Sequence, residues 1–148
     1  MTEKWDKRFL ELAKLISTWS KDPSTKVGCV IINSSRSIIS TGYNGFPRGI
    51  EDSDERLNNR ELKYSIVCHA EENALLHAAN IGVSLKNCIA YCTWPPCTRC
   101  ARSLIQVGVK EIVYPDNITI PERWINDFKL SDSLFNEAAV ITRRINIQ

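Results

Sequence analysis

Two short clusters constrain this chain more than anything else in it: Cys68-His69-Ala70-Glu71 and, well downstream, Pro96-Cys97-Thr98-Arg99-Cys100. Cysteines three apart on the first turn of a helix point the same way, so both sulfurs reach one ion with little chain entropy to lose. Pro96, just ahead of Cys97, suits a helix entrance, where a missing N–H is harmless. A helix N-terminus also favours thiolates and keeps them ready for a metal at neutral pH. His69 and Glu71 likewise open an apolar helical run from Ala70 to Ala79. Any fold of this chain must therefore bring two helix N-termini to one cation.

The donor types say which cation and what it does. A zinc ion that does chemistry takes three protein ligands and keeps one position open, and His69, Cys97 and Cys100 supply three. Two thiolates and a neutral imidazole cancel the ion's formal charge, which makes it a weaker Lewis acid than one held by three histidines. Glu71, two residues beyond the histidine and outside the ligand set, is placed to move protons for it. Such help is worth on the order of 10² to 10⁴ in rate. The arrangement H-x-E…P-C-x-x-C is a known signature of zinc deaminases.

The stretches His69-Ala70-Glu71-Glu72-Asn73-Ala74 and Pro96-Cys97-Thr98-Arg99-Cys100 resemble the cytidine and deoxycytidylate deaminase superfamily. Within it, Ser20-Lys21-Asp22-Pro23-Ser24, Val27-Gly28, Gly42-Tyr43-Asn44-Gly45 and Leu134-Phe135-Asn136-Glu137-Ala138-Ala139 resemble the deoxycytidylate (dCMP) deaminases. The likeness runs from about Lys14 to Arg144, nearly the whole chain. It implies zinc-dependent hydrolytic deamination at C4 of a pyrimidine nucleotide, dCMP giving dUMP and ammonia in supply of thymidylate synthesis. Water activated at the ion attacks C4, Glu71 carries protons to N3 and to the leaving amine, and backbone at Ala70 holds the base carbonyl. The resemblance further implies nucleotide contact by Asn44 and an effector loop at Gly45, Phe46 and Arg48, with dCTP activating, dTTP inhibiting and Mg²⁺ helping to hold the triphosphate. It also implies association of subunits, commonly as hexamers. Open alternatives are another cytosine substrate (dCTP, a free nucleoside or a polynucleotide) and a structural zinc module closed by Cys68 or Cys92.

Composition sets the frame. The 148 residues fit one domain, here a single deaminase domain over 1–148, with a core of useful size. Nineteen Lys and Arg are scattered among seventeen acids, without the basic stripe of a nucleic-acid binder, so a small anionic ligand is expected and a nucleic acid is not. No apolar run approaches the roughly 20 residues that cross a bilayer, and Met1-Thr2-Glu3-Lys4 does not begin a signal peptide. A cytoplasmic enzyme without membrane contact is expected. Of the six cysteines, Cys29, Cys88 and Cys92 lie in apolar, strand-like runs and read as plain buried thiols.

In chain order, Trp5, Phe9, Leu12, Ile16 and Trp19 recur at helical spacing and predict a helix to Ser20 with one buried face. Strands are expected over Val27–Ile32 and Ser37–Tyr43, then the Asn44-Gly45 turn. The charged stretch Glu51–Leu62 reads as a solvated loop or short helix. A helix His69–Asn80 stopped by Gly82, a strand Asn87–Thr93, a helix Cys97–Val107 and a strand Glu111–Tyr114 follow. A loosely helical Pro121–Ala139 and an alternating, edge-like Val140–Ile147 end the chain. This alternation predicts an α/β fold of three layers, cytidine-deaminase-like, with a mixed five-stranded sheet and helices on both faces. Both zinc helices are expected at one edge of that sheet. Lys26 and Arg48 are cationic candidates for a phosphate, Tyr64 borders the pocket, and Trp94 is placed to stack on a pyrimidine. In some relatives the position matching Asn80 carries a cation near the phosphate, and its absence here leaves the phosphate partner unassigned.

Overall fold

The computed structural model describes residues 1–148 and has eleven elements. These are α1 (Glu3–Ser17), β1 (Gly28–Ile32), β2 (Ile38–Tyr43), α2 (Asp54–Asn58), α3 (Arg60–Ile66), α4 (Ala70–Ile81), β3 (Ile89–Cys92), α5 (Thr98–Gln106), β4 (Glu111–Pro115), α6 (Glu122–Glu137) and β5 (Ile141–Ile145). The strands form one sheet in the order β2-β1-β3-β4-β5. β1 runs antiparallel to both β2 and β3, while β3, β4 and β5 are mutually parallel neighbours. The expected mixed five-stranded α/β sheet is therefore present, with β5 on its edge.

Strand pleating divides the core in two. Cys29, Ile31, Ala90, Cys92, Ile112 and Tyr114 point to one face, where they meet Ala70, Ala74, Ala101, Leu104 and Phe135 of α4, α5 and α6. Val30, Ile32, Ile89, Tyr91 and Val113 point to the other, where Phe9, Leu10, Ala13 and Ile16 of α1 cover them. The two predicted zinc helices, α4 and α5, thus share a face. Their N-termini meet at the carboxyl end of the central strand β3, not at a sheet edge, because the Thr93–Pro96 loop leads straight from β3 into α5.

The helix α1 stops at Ser17, and Trp19 lies beyond it, 56 % exposed and edge-on to Tyr43, so it does not belong to the buried stripe. Asp6 is buried on that stripe instead. Its carboxylate accepts from the Tyr91 hydroxyl at 2.7 Å and from two Arg143 nitrogens at 2.7 and 2.9 Å; the same guanidinium pairs with Glu111. Burial alone would raise the Asp6 pKa, but these donors outweigh it and hold it below the usual carboxylate value.

On the other face, α4 is fastened to β2 by polar side chains. The Ser40 hydroxyl donates to the Ala74 carbonyl (2.6 Å), the Asn73 amide donates to the Tyr43 carbonyl (2.7 Å), and the His77 ring meets the Thr41 carbonyl at 2.7 Å. Between them Gly42 lets the helix backbone approach, since a Cβ there would overlap the carbonyl oxygen of Ala70 and the amide nitrogen of Ala74. Both overlaps are with backbone, which cannot rotate away. Gly42→Ala is therefore expected to lift the start of α4, lowering stability by about 1–3 kcal/mol in urea unfolding and weakening metal binding at His69.

Candidate active site

His69 and Cys97 occupy the same position in two helices, the residue just before the first helical turn, and Cys100 closes the first turn of α5. Such positions normally carry a side chain that caps its own helix. Cys97 does not, and its sulfur is turned toward the His69 ring. His69 Nδ1 stands 3.4 Å from Cys97 Sγ and 3.5 Å from Cys100 Sγ, and all three donor atoms lie within 4.8 Å of one another. A tetrahedral zinc with Zn–S of about 2.3 Å and Zn–N of about 2.0–2.1 Å sets such atoms about 3.5–3.6 Å apart. Donor chemistry and spacing therefore both fit zinc, with three protein ligands and one position left for a reactant.

The charges match this reading. Cys100 and His69, close beside it, hold the Cys97 thiol well below its ordinary value, while Cys100 is pushed up. The contact with Cys97 also raises the His69 pKa. Thiolates and neutral imidazoles are the forms that bind a divalent ion. Cys68 stands outside the donor set, its backbone paired with Gly45, and Cys92 lies behind in the core beside Cys29, Sγ to Sγ 3.8 Å. His77 is held by Thr41.

Glu71, on the first turn of α4, is 4 % exposed. Burial pushes its carboxyl up to about 7. Its place beside the donor cluster and on a cavity lining is within reach of a reactant's protons.

Above these residues opens a cavity of about 570 Å³. Its floor includes His69, Ala70, Glu71 and Cys97, and Asn44, Tyr64 and Trp94 line it. The Asn44 amide is also engaged in the fold: it accepts from the Val27 N–H and donates to the Thr25 carbonyl, both at 2.8 Å. Lys26 is exposed and does not line the cavity; the cations that do are Arg60, Lys63 and Arg123. Gly45 and Phe46 line a second cavity of about 140 Å³, whereas Arg48 is exposed and lines neither. Lys63 is buried and paired with Asp22 at 3.2 Å, and this ion pair borders both cavities.

Sequence reasoning missed Arg60 and Lys63 because a charge-rich segment without periodicity reads as solvated surface. Those residues form α3, whose first turn is capped by the Asn59 side chain accepting from the Leu62 N–H. It also missed Trp124 and Phe128, which stack at 5.8 Å and complete the aromatic wall with Trp94; their spacing of four on α6 was the available signal.

The model of the family described as "Cytidine and deoxycytidylate deaminase zinc-binding region" matches residues 3–115. The chain belongs to that family. These deaminases include an uncharacterized deaminase of Aliivibrio fischeri, 41% identical over 141 residues, a match covering 95% of this chain and 92% of that one. The human deoxycytidylate deaminase is 38% identical over 115 residues, 74% of this chain and 64% of that longer protein. Among solved structures, the dCMP deaminase of the cyanophage S-TIM5 in complex with dCMP and dUMP superposes with a TM-score of 0.79 at 26% identity, over 98% of this chain and 99% of that one. The chain is a deaminase by family, with the cytidine-deaminase-like fold. No helix in it is long and apolar enough to cross a membrane.

A buried, ionised Glu71 is a strain on the metal-free protein. Its folded-state pKa lies above its unfolded value of about 4.5, so stability falls as pH rises between the two and stays lower above the higher one. In metal-free protein, Glu71→Gln is expected to match wild type at pH 4 and to be more stable by roughly 2–3 kcal/mol above pH 7.5, read by urea unfolding.

Proposed function

We propose that this chain hydrolyses dCMP to dUMP and ammonia, with zinc held by His69, Cys97 and Cys100. One observation carries the reading: a three-donor set that fits zinc and a buried carboxyl share the floor of a nucleotide-sized cavity whose walls hold aromatics and three cations. Kinship with deoxycytidylate deaminases and likeness to an enzyme solved with dCMP and dUMP agree with it. A structural zinc module would want a fourth protein ligand, and none stands with the three.

Zinc, when bound there, supplies Lewis acidity toward a water molecule. The rest is the chain's own work. Glu71 takes one proton from the attacking water and passes it to N3 of the pyrimidine, then takes the second from the new C4 hydroxyl and hands it to the amine as the C4–N bond breaks and ammonia leaves. Ala70 opens α4, so its N–H has no intrahelical acceptor and is free for the base carbonyl. Trp94, with Trp124 and Phe128, gives a ring-lined wall for the base and excludes water. Arg60 and Arg123 meet the 5′-phosphate, with Asn44 and Tyr64 along the sugar.

Regulation belongs to the same reading. The 140 Å³ cavity beside Gly45 and Phe46 shares Asp22, Asn44, Leu57, Lys63 and Val67 with the substrate cavity, so a ligand there touches the substrate's own wall. We assign it to dCTP as activator and dTTP as inhibitor, with Mg²⁺ at the triphosphate, in a homo-hexamer of the cytoplasm that supplies thymidylate synthesis.

The assay is ammonia release from zinc-loaded protein offered dCMP, dCTP, CMP, deoxycytidine and single-stranded DNA. Turnover fastest on dCMP is expected; activity on none of the small molecules sinks the assignment. Glu71→Ala should keep zinc and lose on the order of 10² to 10⁴ in kcat. Arg60→Ala and Arg123→Ala should raise KM for dCMP but not for deoxycytidine. For regulation, dCTP should shift the dCMP saturation curve to lower concentration and dTTP to higher, and curves that superpose with and without both nucleotides remove it.

A further inference from the structure

The matched family region ends at residue 115, yet α6 begins at Glu122 and reaches back to the zinc ligands. Its contact falls on both sides of one residue. The Asp127 carboxylate accepts from the Thr98 N–H at 2.9 Å, and the Asp127 carbonyl accepts from the Thr98 hydroxyl at 3.1 Å. One turn on, the Ser131 hydroxyl donates to the Pro96 carbonyl at 2.7 Å, with Ser131 only 1 % exposed. Residues 96 and 98 are thus both tied to α6, and Cys97 lies between them.

The reason lies in what Cys97 cannot do. As the residue before α5 it is in the place of a capping side chain, but its sulfur faces His69 and caps nothing. The first N–H groups of α5 are left without an intrahelical acceptor. Asp127 takes one of them from a different helix, so the ligand is free to be a ligand. Residues 124, 127, 128 and 131 recur at helical spacing, and Phe128 of that face packs on Cys97 and Cys100.

We infer that Asp127 and Ser131 are positioning residues for zinc: through the backbone of Thr98 and Pro96 they fix the direction in which Cys97 presents its sulfur. Outer-shell partners of ligands typically govern metal affinity by roughly 10- to 100-fold. The inference rests on the zinc reading above and adds residues that neither touch the substrate nor bind the ion.

The test uses the full chain and reads the metal, not turnover. Zinc affinity is measured by competition with a chromophoric chelator, and the sulfur-to-cobalt charge-transfer absorption is recorded on the Co²⁺-substituted protein. Asp127→Ala and Ser131→Ala should each weaken zinc binding roughly 10- to 100-fold and alter the cobalt spectrum. Asp127→Asn keeps an oxygen for the Thr98 N–H and should recover most of the loss. Phe9→Leu, a core change in α1 on the opposite face of the sheet, supplies a variant of lowered stability that leaves the site's own packing intact. Affinities and spectra of Asp127→Ala and Ser131→Ala within twofold of wild type, with melting lowered as in Phe9→Leu, would overturn the inference. Should Asp127→Ala not fold, Ser131→Ala and Asp127→Asn decide it. Wild-type protein that binds no zinc fails the underlying reading instead.

Discussion

Two helices in this protein start on side chains that face one another, His69 on α4 and Cys97 on α5, and much of the fold follows from that convergence. Both stand where a serine or aspartate would ordinarily satisfy a helix's first N–H groups. Cys97 makes no such bond, and carboxylates from elsewhere serve both helix starts. The Glu72 carboxylate turns back to accept from the His69 N–H at 3.3 Å, and the same carboxylate pairs with Arg99 on the first turn of α5. Asp127 serves α5 from a third helix. Side chains thus tie both helix starts to each other and to α6 around the three donor atoms.

The sheet keeps chemistry and structure on opposite faces. On one, small residues (Ala70, Ala74, Ala78 and Gly42) bring α4 down onto β2 until backbone touches backbone, and a carboxyl two residues past the histidine is carried into the interior. The price is a Glu71 that resists ionisation. On the other face α1 lies over Val30, Ile32 and Tyr91 with no part in the cavity. A change that loosens α1 therefore reaches catalysis only through global stability, whereas small shifts of α4 act on the site directly.

How much of this the sequence told depended on the range of the interaction. The convergence of His69, Cys97 and Cys100, the nearness of Glu71 and the α4 boundary were legible because each rests on local spacing: an H-x-E triplet, a C-x-x-C pair, and Gly82 in the left-handed conformation at φ 74° that ends the helix. The five strands and the α/β layering were reachable from alternation, whereas the strand order was not. Arg60 and Lys63 were not, since a cation aimed into a cavity and one aimed into water share the same local sequence. Lys26 shows the converse: it sits beside a site segment, yet in the extended stretch before β1 it faces solvent. Asp6 was invisible for another reason, because nothing near it in sequence announces Tyr91 or Arg143.

That last partnership couples two distant elements. Asp6 and Arg143 are separated by 137 positions, so the acidic group on the apolar face of α1 finds its counterion on β5, the edge strand. Burying such a group alone is strongly unfavourable. Docking of α1 and addition of β5 to the sheet are thus one cooperative event, and loss of the edge strand would loosen a helix that is remote from it in sequence.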